Sequence, residues 1–192
     1  KMNCTISSKI LAFLNANGVD THFVEQLDET SQICKVVEHM PFEVIVRNVI
    51  AGSMAKRLGI DEGVVPENTI FDLCLKDEEL GDPLINDHHA VALGVATYEE
   101  LVKIYEISAR VNKLLTELYA SVGIRLVDFK IEFGRAADGA LVLADELTPD
   151  TCRIWDAETG ECMDKDRFRR DLGRVGETYQ EVAHRICNAL NK

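Results

Sequence analysis

The chain lacks long apolar runs and paired cysteine motifs, and each absence excludes a class of protein. No apolar stretch approaches the roughly 18 residues that a membrane-spanning helix needs. The first ten residues lack the charged-then-apolar layout of a signal peptide. The six cysteines are scattered without a C-x-x-C pair, which argues against a zinc site or a disulfide framework. We therefore expect reduced thiols in a cytoplasmic protein.

Basic residues are also scarce, with 21 Lys and Arg against 33 Asp and Glu. The resulting net charge of -12 disfavours general binding to nucleic acid or to anionic membranes. Small anionic substrates stay possible where a local group of arginines and lysines overrides that field. A hydrophobic fraction of 46% over 192 residues excludes disorder and supplies a sizeable core. There is no repeat and no clear linker, so one α+β unit is the economical interpretation.

Hydrophobic periodicity and capping residues predict the order of elements. The clearest element is a long helix that starts at the capping box Thr97–Glu100 and ends at Gly123. Ser53 is expected to cap a brief helix that ends at Gly59. The segment 77–89, which includes His88 and His89, is expected to be an exposed loop. The other predicted helices cover residues 3–16, 166–172 and 178–190, and the predicted strands cover 21–24, 33–37, 43–50, 69–76 and the two arms of a hairpin that follows the long helix.

The hairpin carries the strongest chemical signal. In the segment LVDFKIEFG (126–134), Asp128, Lys130 and Glu132 alternate with apolar residues, so the three charged side chains share one face of a strand and 127, 129, 131 and 133 share the other. Asp138-Gly139 is a two-residue turn signal. That turn places Glu132 opposite Asp145, a like-charge pair that a cation would stabilise. Glu132 and Asp145 are therefore predicted Mg²⁺ ligands, the alternative being a solvated polar face on an ordinary hairpin.

Two further groups of residues indicate anion binding. In EVIVRNVIAGSMAKRLG a strand runs through Gly-Ser into a helix, whose first N–H groups, with Arg47 and Ser53, suit an anion. The alternative is a surface arginine beside a capped helix. In TPDTCR, Arg153 is expected near the same end of the hairpin as the metal site, with Asp150 able to orient it or a substrate amine. The basic run DKDRFRR adds positive charge, although such runs are more often salt-bridged helix faces.

Several segments together carry a family resemblance. MPFEVIVRNVIAGS (40–53) and LVDFKIEFG (126–134) closely resemble the two signature segments of the SAICAR synthetases, the phosphoribosylaminoimidazole-succinocarboxamide synthases. The similarity continues through RLGIDEG (57–63), FDLCLKDEELGDPLIN (71–86), LADELTPDTCRIWD (143–156) and MDKDRFRRDLG (163–173), in the expected order. The resemblance implies an α+β fold related to ATP-grasp proteins, with an antiparallel sheet flanked by helices.

The resemblance also implies a reaction of de novo purine biosynthesis. In this reaction 5-aminoimidazole-4-carboxylate ribonucleotide would be activated by ATP and Mg²⁺ as an acyl phosphate and would then combine with L-aspartate to give the succinocarboxamide ribonucleotide. We expect no nucleic-acid or membrane partner. We also expect a homo-oligomer, with a dimer favoured. The residues that resemble family site residues fall into three groups: Lys130 and Asp128 as catalytic groups; Lys76, Glu132, Asp145 and the backbone at His39 and Met40 beside the nucleotide and its magnesium; and Arg47, Ser53, Asp82, Asp150 and Arg153 beside the substrates.

The family's N-terminal glycine-rich subdomain, which covers ATP, has no counterpart in this sequence. Residues 1–192 are thus expected to form the central and C-terminal region, with the full-length protein active and this piece alone weak. A catalytically silent ribonucleotide-binding module is the alternative function, and a phosphotransferase that phosphorylates another acceptor is a third.

Overall fold

A six-stranded antiparallel sheet forms the centre of the computed structural model, which describes residues 2–191. Its strand order is β5-β4-β3-β6-β7, and β8 pairs with the part of β6 that β7 leaves free. A separate two-stranded sheet pairs β1 with β2. The strands are β1 Phe23–Gln26, β2 Gln32–Cys34, β3 Glu38–Arg47, β4 Ile70–Leu75, β5 Leu84–Ile85, β6 Ile124–Arg135, β7 Leu141–Ala144 and β8 Cys152–Asp156.

Helices cover one face of the large sheet. The longest helix begins after Thr97, which forms the predicted capping box with Glu100. The core between sheet and helices includes Phe42, Val44 and Val46 of β3, and this burial is what stabilises the pairing of β3 with β6. The helices are α1 Met2–Ala16, α2 Gly52–Leu58, α3 Asp87–Ala92, α4 Tyr98–Ser121, α5 Asp166–Arg169 and α6 Val175–Leu190. The predicted α+β class with an antiparallel sheet and flanking helices is confirmed.

Strand β6 departs from simple alternation at one position. Phe129, Ile131 and Phe133 lie in the main core as predicted, but Val127 belongs to a small separate cluster with Val49. The pairing of β6 with β8 shifts by one residue between Leu126 and Asp128. A bulge of this kind inserts an extra residue and changes the face of the residues beyond it, so the prediction that Val127 shares the face of Phe129 was wrong.

The turn of the β6–β7 hairpin is also one residue longer than predicted. Glu132 pairs with Ala144, and Asp145 follows the end of β7 with a φ of 70°. A two-residue type I′ turn needs positive φ at both central residues, whereas Gly139 has a φ of 82° and Asp138 is not in that region. The loop therefore has three residues with Gly139 in the left-handed conformation, and the prediction of Glu132 directly opposite Asp145 was wrong.

Three other expectations need correction. Residues 77–89 contain a 3₁₀ turn at Glu78–Leu80, the short strand β5 and the start of α3, although the two histidines are exposed. Strand β8 covers residues for which no strand was predicted. Helix α2 begins at Gly52 after Ala51 without a side-chain cap, so Ser53 lies within the helix, while Gly59 ends it as predicted. Among residues 2–191, no helix has the length and apolar character needed to cross a membrane.

Candidate functional site

The face of the sheet opposite α4 forms the floor of an open cleft of about 1080 Å³. Directly paired residues of β3 and β6 supply this floor, because Glu43 pairs with Glu132, Ile45 with Lys130, and Arg47 with Asp128. The predicted sharing of one face by Asp128, Lys130 and Glu132 is thus observed. The walls come from the start of α2, the segment after β7 and the segment around α5, and include Gly52, Ser53, Asp145, Glu146, Asp150, Asp164, Lys165, Arg169 and Arg170.

Glu132 is the centre of one end of the cleft. Its carboxylate is buried and accepts two hydrogen bonds of 2.7 Å from the Nζ of Lys76. Lys130 Nζ lies 3.7 Å from Glu132 and 2.9 Å from Glu43. The like-charge neighbour of Glu132 across the strands is therefore Glu43, and two lysines neutralise the pair. Facing acids in this sheet do not by themselves require a metal ion.

Three other predicted residues lie at or near this end. His39 is half exposed, with its Nδ1 3.7 Å from a Glu132 oxygen. The side chain of Met40 is fully buried in the core, so only its backbone could border a nucleotide. Asp145 lines the cleft in its left-handed conformation, which an aspartate tolerates better than most residues.

The donor set at this end fits magnesium only in combination with substrate oxygens. Within the described residues, no three His, Cys, Asp or Glu side chains come together as a complete metal cage. Mg²⁺ is usually held by one or two carboxylates plus phosphates and water. Glu132 and Asp145, which line the same cleft, match that requirement in number and chemistry.

The other end of the cleft is built around Asp128. One of its oxygens accepts a hydrogen bond of 3.2 Å from Arg47 and one of 2.5 Å from Arg153. Each arginine also contacts a second carboxylate: Arg47 Nε donates to Asp72 at 2.8 Å, and Arg153 Nε donates to Asp166 at 2.7 Å. Charge-assisted hydrogen bonds from one guanidinium to two different carboxylates fix its plane. The structure therefore brings the predicted Arg47, Asp128 and Arg153 together, and the expectation that Arg153 lies at the same end as the metal site was wrong.

Burial and neighbouring charges perturb the protonation of these groups. Burial raises the pKa of Asp128 above its ordinary value, although Arg153 and Arg47 pull that pKa down. Burial alone would lower the pKa of Lys130, but the hydrogen bond and charge of Glu43 raise it above its usual value. At neutral pH Lys130 is therefore a fixed cation, and the Asp128 carboxyl is more basic than an ordinary aspartate.

The remaining predicted substrate residues also line the cleft. Ser53 and Asp82 are exposed, and Asp82 accepts a hydrogen bond of 2.9 Å from the backbone N–H of Asp77. Asp150 is already engaged, since it accepts hydrogen bonds from Asn3 at 2.5 Å and from Tyr179 at 2.7 Å. Asp150 thus links α1 to α6 at the wall of the cleft, and among the described residues it forms no hydrogen bond or ion pair with Arg153.

Sequence reasoning missed several residues that hold the site together. Asp72 and Asp166 orient the two arginines, Glu43 holds Lys130, and Gly52 gives Arg153 room. Asp72 and Glu43 give readable signals, because alternation in β4 and β3 puts them on the polar face. Asp166 and Gly52 lie in segments that the sequence already singles out, the basic run DKDRFRR and the strand-to-helix junction. Their contact with Arg153 was not predictable, because it depends on how distant parts of the chain meet.

Fold and site together define an α+β enzyme with a cleft for charged small molecules. The SAICAR synthetase family model matches residues 1–186. A phosphoribosylaminoimidazole-succinocarboxamide synthase of Fusobacterium nucleatum is 58% identical over 185 residues, which are 96% of this chain and 78% of that protein. The chain belongs to the SAICAR synthetase family.

Solved structures agree with this membership. The phosphoribosylaminoimidazole-succinocarboxamide synthase of Ehrlichia chaffeensis superposes with a TM-score of 0.95 at 42% identity, covering 98% of this chain and 80% of that one. A SAICAR synthetase in complex with ADP superposes with a TM-score of 0.94 at 44% identity, covering 96% and 79%. Nucleotide binding is therefore a property of a close structural relative.

Proposed function

We propose that this cleft joins L-aspartate to 5-aminoimidazole-4-carboxylate ribonucleotide at the expense of ATP, the reaction expected of the family. The observation that carries the proposal is the division of one cleft into two differently charged ends. One end has Glu132 and Lys76, and the other has Arg47 and Arg153 around Asp128. A ligase that activates a carboxylate with ATP needs both a site for nucleotide phosphates and a separate site for an anionic acceptor.

The nucleotide is proposed to lie at the Glu132 end. Lys76 is 42% exposed, so its ammonium group is free to turn from Glu132 to a phosphate oxygen. Glu132 and Asp145 are the proposed magnesium ligands, and the backbone at His39 and Met40 is the proposed neighbour of the base. When bound, Mg²⁺ would neutralise phosphate charge. Lys130, held cationic by Glu43, is suited to stabilise negative charge that develops between the two ends.

The ribonucleotide is proposed to lie against Arg47, Ser53 and Arg153. Both arginine contacts of Asp128 use the same oxygen, Oδ2, and no hydrogen bond to its Oδ1 is formed within residues 2–191. With its raised pKa, Asp128 is suited to accept a hydrogen bond or proton from the attacking amine. Asp82 and Asp150 are the further proposed substrate-side residues. Proximity of amine and activated carboxylate supplies the remaining advantage.

The proposal is tested by ADP release from the protein in its full natural length. We expect release to require Mg²⁺-ATP, the ribonucleotide and aspartate together, because the acceptor carboxylate is activated only for the amine. Replacing Glu132 by Gln (Glu132→Gln) should lower kcat/KM for ATP by about a hundredfold or more, since it removes a charge at the phosphate end.

Two results would contradict the proposal. ADP release that is equally fast without aspartate would indicate a phosphotransferase. Calorimetric binding of the ribonucleotide without binding of Mg²⁺-ATP would indicate a silent binding module, which the names of the relatives do not favour.

A further inference from the structure

A single buried carboxylate collects three arginines at the basic end of the cleft. Asp166, the first residue of α5, is 4% exposed. Its oxygens lie 2.7 Å from Arg153 Nε, 2.8 Å from Arg169 Nη1 and 3.6 Å from Arg170 Nη2. All four residues line the cleft. In a protein with a net charge of -12, Asp166 thus lies where positive charge is locally concentrated.

Arg153 is held on three sides. Asp166 accepts from its Nε and Asp128 accepts from its Nη1. Its Nη2 packs so closely against Gly52 that a Cβ there would lie 2.6 Å from it. A guanidinium presents its donors in a rigid plane, so turning that plane would break both carboxylate contacts. Arg153 is therefore preorganised before any substrate arrives.

Arg47 shows the same arrangement on the other side of Asp128. Its Nε donates to Asp72 and its Nη1 to the shared Asp128 oxygen. Arg47 and Arg153 thus share Asp128, and each contacts a further carboxylate that also pairs with other arginines, Asp72 with Arg57 and Asp166 with Arg169 and Arg170. The second carboxylate differs in burial, because the side chain of Asp72 is 14% exposed and that of Asp166 is 6% exposed. Asp166 is also the more connected of the two, since it has three ion pairs.

We infer that Asp166 is a positioning residue for the anionic substrate: it touches no substrate atom, but it fixes Arg153 and draws Arg169 to the end of the cleft that receives the ribonucleotide. The inference rests on the proposed function. The inference predicts that loss of the Asp166 charge weakens binding of the anionic substrate. A carboxylate near an anion site repels the anion, so its removal would tighten anion binding unless its main effect is to orient the arginines.

The test is a steady-state comparison of the full-length wild-type protein with Asp166→Asn. Asn keeps the size of the side chain but loses the charge that holds three guanidiniums. We expect the KM for the ribonucleotide to rise about tenfold or more, while the KM for ATP stays within about twofold, because Glu132 and Lys76 are untouched. Asp166→Glu should recover part of the ribonucleotide KM, since it restores the charge.

Glu100→Gln is the matched control. Glu100 also holds an arginine through two hydrogen bonds, to Arg135 at 2.6 and 2.9 Å, but outside the cleft. The Glu100→Gln variant should have a lower melting temperature than the wild type and an unchanged KM for every substrate. An unchanged or lowered ribonucleotide KM in Asp166→Asn, or equal rises for all substrates, would overturn the inference. Failure of the proposed function would differ, since the wild type itself would then release no aspartate-dependent ADP.

Discussion

Three buried carboxylates at the basic end of the cleft differ in what compensates their charge. Asp128 and Asp166 each contact two or more arginines. Asp164 has no ion pair within the described part of the chain and depends instead on the backbone N–H groups of Ile154, at 2.6 Å, and of Asp166, at 2.8 Å. Burial without a cation raises the pKa of the Asp164 carboxyl to about 6. Asp164 thus differs from Asp166, where burial would raise the pKa of the carboxyl but hydrogen bonds from Arg153 and Arg169 lower it.

The pKa of Asp164 gives a prediction for the dependence of stability on pH. Between about pH 4 and pH 6 the folded protein retains a proton that the unfolded chain has lost, so the contribution of Asp164 to stability falls as the pH rises through this window. Carbon-detected NMR of the Asp164 carboxyl should show a midpoint near 6, with Asp164→Asn assigning the signal. A midpoint at or below 3.8, the reference value, would show that burial does not control this group.

At the scale of elements, the junction between β3 and α2 places the arginine pocket. Gly52 and Gly59 begin and end α2, and both have positive φ, of 58° and 65°. Only Gly52 has a close neighbour, Arg153, whereas a Cβ on Gly59 would meet nothing within 4 Å. Both positions thus require a left-handed backbone, but only Gly52 contacts a residue of the site.

Alanine at these two glycines separates the two effects. Gly59→Ala and Gly52→Ala should each destabilise the fold by about 1 kcal/mol through the left-handed backbone. Only Gly52→Ala should also raise the ribonucleotide KM, by roughly tenfold, because the new methyl group displaces Arg153. Thermal unfolding and steady-state kinetics on both variants check this. Equal kinetic effects of the two substitutions would contradict the contact with Arg153.

Elements whose signals are local were predictable from the sequence, and their register was not. The capping box of Thr97 and the stop at Gly59 depend on neighbours within a few residues, and both are confirmed. The bulge at Val127 and the three-residue hairpin loop depend on pairing with β8 and β7. Alternation specifies which residues share a face, but it does not specify where a strand adds a residue.

At the scale of the whole molecule, an acidic protein keeps a cleft with a basic end. The residues that form it are far apart in sequence: Lys76 meets Glu132 across 56 positions, and Arg47 meets Asp128 across 81. Alternation of charged and core residues in β6 predicted Asp128 and Glu132, the strand-to-helix junction predicted Arg47, and the segment after the hairpin predicted Arg153. It could not predict that Lys76 neutralises Glu132 or that Asp166 holds Arg153, since those contacts depend on the tertiary fold.

The position of a divalent ion tests the proposed cleft most directly. A crystal structure of the full-length protein with ADP and millimolar Mg²⁺ should show the ion beside the nucleotide phosphates, with oxygens of Glu132 and Asp145 at about 2.1 Å from it. Lys76 should then have moved from Glu132 toward a phosphate. ADP bound away from this end of the cleft, or an ion out of reach of both carboxylates, would contradict the assignment.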